Sequence, residues 1–208
     1  MKGTKSGERR PIAAAIGLAA IAACLAVAGC GSSSGATAAS FPGGDAVPAK
    51  APAPLVLTDY RGHRVNLAAL KGRAVLVAFL YTHCEDLCPL VAAKVHTAYS
   101  LLEPGARPPL FLAVSVDPAR DTPASATKFN REHRTAGEID WLLGSRPRLE
   151  RVWKAWNVVP HHERRDPEVV EHSADIYGIG ADGYVHVLYS PEFKPPRLAR
   201  GMEALAES

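Results

Sequence analysis

The sequence has little cysteine and little net charge, and both scarcities restrict its function. Four of its 208 residues are cysteine, and the formal charge of +3 comes entirely from the first 29 residues. Because the rest of the chain is neutral, nucleic-acid binding has no electrostatic support. A content of 47% hydrophobic and 22% charged residues fits neither a chain disordered by composition nor a polytopic membrane protein. We therefore expect most of the chain to be globular.

Residues 1–29 are organised like a secretory signal peptide, with basic residues followed by an uncharged apolar run over residues 11–28. The run ends in Val27-Ala28-Gly29-Cys30, which resembles the lipobox of bacterial lipoproteins, where the cysteine is acylated and the chain is cut before it. An uncleaved membrane anchor is the alternative, but the Gly and Ser residues after Cys30 favour cleavage. We expect Cys30 to be lipidated and to tether the protein to the extracytoplasmic face of the cell membrane.

Residues 30–54 have few large apolar side chains. Gly, Ala, Ser and Pro make up 19 of residues 31–54, too little apolar surface to fold, so the segment is predicted to be a flexible tether. The folded domain is then predicted to span residues 55–208, a length that supports one hydrophobic core.

The first half of this domain predicts a hairpin followed by a βαβ unit. Residues 55–58 and 64–67 flank a turn and indicate the hairpin. The apolar runs 74–80 and 110–116 are typical of central strands buried on both faces. Apolar residues at three- and four-residue steps between them predict a helix that Pro104-Gly105 ends. Two strands joined by a helix predict parallel pairing.

The second half continues the alternation and closes with a hairpin. The pattern predicts a helix from Thr122-Pro123 to about residue 134, a strand at 139–143, a helix at 147–156, a hairpin within 175–187 and a helix at 197–206. This order is that of a thioredoxin-like α/β fold, in which helices flank a central mixed β-sheet.

Cys84 and Cys88 are the only cysteines after residue 30. Spacing of four places them on one face of a helix, within reach of each other or of one metal ion, and the helix N-terminus favours thiolate. Metal binding and thiol redox exchange stay open. A stabilising disulfide ranks behind them, because so short a loop removes little chain entropy. A structural zinc site requires four ligands, and only two cysteines are available here. Soft thiolates select Cu(I) and, together with an imidazole, also bind Cu(II), so copper is favoured over zinc.

Three blocks of sequence, in order, resemble the Sco/SenC family of copper-binding, thioredoxin-like proteins that help to assemble cytochrome c oxidase. The blocks are YTHCEDLCP at residues 81–89, VSVDPARDTP at 114–123 and HSADIY at 172–177. The resemblance implies that Cys84, Cys88 and His172 are the copper ligands. It also implies that residues 171–175, which contain no proline, replace the cis-proline loop of thioredoxin-like oxidoreductases, which favours metal binding over general disulfide exchange.

The chain departs from the family at Glu85-Asp86, where the family usually has Pro-Asp. Two carboxylates beside the thiols should disfavour thiolate and attract cations, so we expect an altered affinity or redox poise. Asp117 is a candidate for orienting the site, with turn capping as an equal alternative, and Asp121 fits turn and capping chemistry. We expect His83 to point away from the sulfurs and His161-His162 to lie in a solvated loop.

The resemblance implies a membrane-tethered copper metallochaperone that serves the CuA centre of cytochrome c oxidase subunit II or another copper-accepting envelope protein. Recipient thiolates would displace Cys84, Cys88 and His172 by ligand exchange, and a disulfide between the cysteines would block copper binding. Two alternatives stay open. One is a thiol:disulfide oxidoreductase in which Cys84 and Cys88 are the redox-active pair, and the other is a redox or copper sensor.

Lipidation of Cys30 is directly testable. We predict that cells expressing the parent protein incorporate radiolabelled palmitate into it, and that Cys30→Ala abolishes the label because no thiol remains to be acylated. Cys24→Ala, within the predicted signal peptide, is the matched control and should be labelled like the parent. Label retained by Cys30→Ala would contradict the lipoprotein interpretation.

Overall fold

The structure is a computed structural model that describes residues 41–162 and 170–208. The predicted signal peptide, Cys30 and the first part of the predicted tether lie outside the described residues. Across the two described ranges, no helix combines the length and the apolar character needed to cross a membrane.

The described residues form ten strands, four α-helices and a short 3-10 helix at Leu67–Leu70. The strands are β1 (Asp45–Lys50), β2 (Val56–Asp59), β3 (Arg64–Asn66), β4 (Val75–Leu80), β5 (Leu110–Ser115), β6 (Ile139–Leu143), β7 (His161–His162), β8 (Val170–Glu171), β9 (Ile176–Ile179) and β10 (Val185–Tyr189). The helices are α1 (Leu87–Ser100), α2 (Pro123–Glu132), α3 (Arg146–Ala155) and α4 (Pro195–Glu207).

Eight of these strands make one mixed sheet in the order β1-β10-β9-β4-β5-β6-β2-β3, and β7 and β8 pair separately. β4 lies at the centre, where every one of its side chains is buried. β4 runs parallel to β5, from Val75 opposite Leu110 to Leu80 opposite Ser115, and antiparallel to β9. Since parallel strands end at the same edge of a sheet, the chain that follows β4 lies beside the chain that follows β5.

The thioredoxin-like α/β prediction is confirmed. The predicted N-terminal hairpin is β2–β3, the βαβ unit is β4–α1–β5, and the closing hairpin is β9–β10. The predicted start of α2 is also found, because Thr122 caps the helix. Its side chain accepts from Ser125 N, and the Ser125 hydroxyl accepts from Thr122 N.

The predicted boundary of the folded domain at Leu55 is wrong. Asp45–Lys50 is a strand of the main sheet that pairs antiparallel with β10, and the Phe41 side chain is buried. An edge strand is held by backbone hydrogen bonds, so its own composition carries little information about it. Close packing explains the glycine at position 44, because a Cβ there would clash with the Val187 side chain. Small residues in this segment therefore include positions of close packing.

Asn130 joins α2 to β6, and we predict that its loss destabilises the fold. The buried amide donates to Ile139 O (2.9 Å) and accepts from Thr135 Oγ1 and Trp141 Nε1 (both 3.1 Å). Asn130→Ala leaves these groups unpaired and should lower the free energy of unfolding by about 3 kcal/mol in urea titrations. The control Lys128→Ala, exposed on the same helix, should change it by less than about 0.5 kcal/mol. Equal effects of the two substitutions would disprove the assigned role.

Candidate metal centre

Cys84 and Cys88 lie where β4 gives way to α1. Asp86 precedes the helix without a side-chain capping bond, and Cys88 is in the first helical turn. The Cys88 backbone N–H donates to Cys84 Sγ at 3.3 Å, and both cysteines are free thiols. Cys88 is 1% exposed, whereas Cys84 is only partly buried. Cys84 is therefore the sulfur that a partner can reach.

The two thiols have opposite tendencies to ionise. A hydrogen bond from the Cys88 thiol lowers the pKa of Cys84 to about 5 against the opposing effect of burial, and the backbone N–H groups of Cys88 and Asp86 and the Tyr81 hydroxyl also contribute. The pKa of Cys88 is raised well above its usual value, because its thiol is the donor to Cys84 and because it is buried. The pair thus combines an accessible thiolate with a buried neutral thiol.

The expected effect of Glu85 and Asp86 on the thiolate is not found. Both side chains are exposed, and neither carboxylate is among the main influences on the pKa of Cys84. Asp86 instead favours the thiolate through its backbone N–H. Solvent screens exposed carboxylates, while a short hydrogen bond acts directly on the sulfur, so the local backbone decides the result.

His172 lies between β8 and β9, next to the dithiol. Its ring packs edge-on against the Tyr81 ring, with centroids 6.1 Å apart at 77°. His172 Nδ1 is 2.8 Å from the carbonyl oxygen of Ser173, which can only accept. Nδ1 therefore carries the hydrogen, and Nε2 keeps a lone pair for a ligand. Burial lowers the pKa of His172, while the charge of Cys84 raises it, so the imidazole is neutral at pH 7.

The three predicted ligands are neighbours but do not form a closed cluster. Within residues 41–162 and 170–208, no three His, Cys, Asp or Glu side chains lie close enough together to hold one metal ion. Tyr81 is the group that joins them, since it contacts the His172 ring and hydrogen-bonds Cys84. The ligand set of Cys84, Cys88 and His172 remains a prediction.

Asp117 is a buried turn residue with one unusual feature. It is 1% exposed and forms an ion pair with Arg120, and its backbone carbonyl accepts from the N–H groups of Arg120 and Asp121. Its Oδ1 has no hydrogen-bond partner among the described residues. The structure records no contact from Asp117 to the cysteines or His172 in its described part, so a role in orienting the site stays a prediction.

Asp121 does more than the predicted turn and capping chemistry. It accepts hydrogen bonds from Thr82 N (2.8 Å), Thr82 Oγ1 (2.7 Å) and Ser115 Oγ (2.5 Å). These bonds tie the loop that leads into Cys84 to the end of β5. Burial raises the pKa of Asp121, and its charge helps to raise the pKa of Cys88. The sequence predicts the parallel pairing of β4 and β5, and this pairing brings the two loops together, so it was the signal that could have indicated the contact.

The remaining histidines of the motifs lie apart from the sulfurs. His83 is exposed, and its Nδ1 is 3.0 Å from Thr82 Oγ1, as expected of a residue that does not face the cysteines. His161 differs from the prediction of a solvated loop because it lies in β7, where its exposed side chain pairs with Glu171 of β8. Trp141, Trp153 and Trp156 are buried in the hydrophobic core.

Comparison with known proteins agrees with this geometry. The SCO1/SenC family profile matches residues 45–207, which include β1. The mitochondrial SCO2 homolog of Bos taurus is 33% identical over 140 residues, covering 64% of this chain and 52% of the bovine protein. The chain thus spans about half the length of that relative.

Two solved structures extend the comparison. Bradyrhizobium japonicum ScoI, solved with copper bound, is 26% identical with a TM-score of 0.66, over 75% of this chain and 99% of that one. BsSco, described as a member of the Sco family of cytochrome c oxidase assembly proteins, is 23% identical with a TM-score of 0.62, over 78% and 96%. At this identity, the likeness to BsSco concerns the fold alone.

The division between the thiols predicts the pH dependence of their reactivity. In the reduced, metal-free protein, iodoacetamide should alkylate Cys84 at a rate that is constant from pH 6 to 8 and falls around pH 5, because a lowered pKa keeps the thiolate present down to that pH. Cys88→Ala removes the thiol donor and should move this midpoint upwards. The control Leu90→Ala, exposed on the same helix, should leave it in place. A parent rate that still rises between pH 7 and 9 would refute the assignment.

Proposed function

The chain belongs to the SCO1/SenC family, and we propose that it is a membrane-tethered copper chaperone that binds copper through Cys84, Cys88 and His172. Its recipient is the pair of cysteines of the CuA centre in cytochrome c oxidase subunit II, or those of another copper-accepting envelope protein. The observation that carries the proposal is an accessible Cys84 thiolate that accepts from the Cys88 backbone, together with the His172 imidazole, which packs against Tyr81 three residues before Cys84.

The donor set fits copper by its softness and its protonation states. Two thiolates suit Cu(I), and an added imidazole also accommodates Cu(II). Protons compete little at the two accessible positions, because Cys84 is ionised and His172 is neutral at pH 7. Cys88 gives up its proton when it becomes a ligand. A structural zinc site would need a fourth protein ligand close to these three.

Burial of the two sulfurs sets the order of transfer. Cys84 is partly exposed and Cys88 is buried, so an incoming recipient thiolate replaces the accessible Cys84 ligand before the buried one. In each exchange, one copper–sulfur bond forms and one breaks. The released Cys84 stays a thiolate, the released Cys88 takes up a proton, and any other proton lost by a recipient thiol passes to water. The oxidation state of copper does not change. Copper therefore moves without an electron donor.

Support for the recipient and the location comes from the relatives. ScoI of Bradyrhizobium japonicum was solved with copper bound, and the SCO1/SenC family, whose profile matches residues 45–207, serves the assembly of cytochrome c oxidase. The lipobox-like sequence at Cys30 supports a lipid tether on the extracytoplasmic face of the membrane. A tethered chaperone meets membrane-embedded recipients at a high effective concentration.

A second function is favoured by the unequal thiols. An accessible thiolate beside a buried thiol is the arrangement of a dithiol reductant, in which Cys84 attacks a recipient disulfide and Cys88 then resolves the mixed disulfide. The recipient gains two electrons and two protons, and the chain is left with a disulfide between Cys84 and Cys88. This reaction needs both cysteines but not His172.

His172→Ala separates the two functions. We predict that it weakens Cu(II) binding by more than about 100-fold, since it removes a direct ligand, while the rate of reaction with a small disulfide changes by less than about twofold. Cu(II) binding is followed by thiolate-to-copper charge-transfer absorption under anaerobic titration. His161→Ala, an exposed histidine paired with Glu171, is the matched control and should bind copper like the parent.

The same two variants distinguish the copper chaperone from the dithiol reductant in cells. If copper transfer is the function, a strain that carries only His172→Ala should lose assembled CuA, whereas His161→Ala should retain it. Full oxidase activity with His172→Ala would rule out the copper chaperone and leave the dithiol reductant.

A further inference from the structure

Tyr81 occupies a junction between the dithiol and the segment that carries His172. Its side chain is 6% exposed, directly after the buried strand β4. Its hydroxyl accepts from the backbone N–H of Val170 at 3.3 Å and lies close enough to the Cys84 sulfur to help lower the pKa of that thiol. Its ring packs edge-on against His172. One side chain thus touches a proposed ligand on each of two separate parts of the chain.

The segment before His172 lies outside the main sheet, although the Val170 side chain is buried in the hydrophobic core. Val170 and Glu171 form β8, which pairs only with the two-residue strand β7 and not with the main sheet. Residues 172–175 have no regular secondary structure, and the main sheet resumes at Ile176 in β9. The buried Val170 side chain and the hydrogen bond from its backbone N–H to Tyr81 together attach the segment to the centre of the fold, and the hydrogen bond fixes the backbone two residues before His172.

We propose that Tyr81 is a positioning residue whose hydroxyl holds the strand before His172 against the dithiol, and so sets the approach of the third copper ligand. This inference rests on the proposed copper site. It assigns Tyr81 no direct bond to the metal. Tyr81 acts through Val170 and through the orientation of the His172 ring.

Burial alone does not account for this arrangement. A buried hydroxyl needs one hydrogen-bond partner, and Tyr99 meets that need with the carbonyl of Pro109 at 2.8 Å. The Tyr81 hydroxyl instead bonds the backbone two residues before His172 and also lies beside the sulfur of Cys84, so both of these polar neighbours belong to the proposed site. The Tyr99 hydroxyl is far from such groups and supplies a matched control.

The effect of the Tyr81 hydroxyl on copper affinity should depend on the oxidation state of the copper. Two thiolates hold Cu(I) without much help, whereas Cu(II) depends on the imidazole. Loss of the Tyr81 hydroxyl should therefore weaken Cu(II) binding more than Cu(I) binding. We expect Tyr81→Phe to lower the Cu(II) affinity by about tenfold, the size found when groups that orient metal ligands are removed, and the Cu(I) affinity by less than about threefold.

The first test uses the reduced, metal-free protein and does not depend on copper. Tyr81→Phe keeps the ring but removes the acceptor for Val170, so hydrogen exchange at the Val170 amide, followed by NMR, should accelerate by about fivefold or more. Tyr99→Phe should leave the Val170 amide unchanged. Circular dichroism and thermal unfolding verify that both variants are folded. An unchanged Val170 exchange rate in Tyr81→Phe would overturn the proposal.

The second test compares anaerobic Cu(I) and Cu(II) titrations of the parent, Tyr81→Phe, Tyr99→Phe and Tyr81→Leu. Tyr81→Leu removes the ring contact as well and should weaken Cu(II) binding further. Equal losses for the two oxidation states, or equal effects of Tyr81→Phe and Tyr99→Phe, would overturn the positioning role. If the parent itself binds no copper, the proposed function fails, and the Val170 exchange rates still decide whether Tyr81 holds this segment.

Discussion

The parallel pairing of β4 with β5 is the constraint on which the rest of the site depends. It places the ends of two buried strands at one edge of the sheet, so that the loop into Cys84 and the loop after Ser115 become neighbours. Asp121 then joins the loops through two bonds to Thr82 and one to Ser115. The strand pair is held by the hydrophobic core, so the core determines where the thiols stand.

The chemistry of the dithiol follows from a difference in burial between two sulfurs one helical turn apart. Cys84 receives hydrogen bonds from the start of α1, from Tyr81 and from Cys88, while Cys88 is enclosed by the core. Stabilising one thiolate in this way destabilises the second, because like charges at short range repel. A bound copper ion would remove that conflict by supplying positive charge to both sulfurs, and a disulfide would remove it by taking away both charges.

The third proposed ligand is joined to this pair by a weaker structure. His172 follows a two-residue strand outside the main sheet and is oriented by Ser173 and Tyr81. A rigid three-ligand cage would bind copper firmly but would resist its release. A dithiol at the end of the main sheet with an imidazole outside it instead suits the proposed transfer of copper to incoming thiolates.

The order of strands and helices and the position of the thiol pair could be predicted from the sequence, because apolar periodicity and short motifs are local properties of the chain. His172 as the third ligand remains a prediction from the family resemblance. The sequence did not reveal β1, whose pairing with β10 depends on a distant strand, or the bonds of Asp121 and Tyr81 to groups that are 39 and 89 positions away. It also misjudged Glu85 and Asp86, since sequence order cannot tell which carboxylates face solvent and which backbone N–H groups face a sulfur. These features depend on the folded arrangement, because the burial of a group and its hydrogen bonds are set by the distant segments that pack against it.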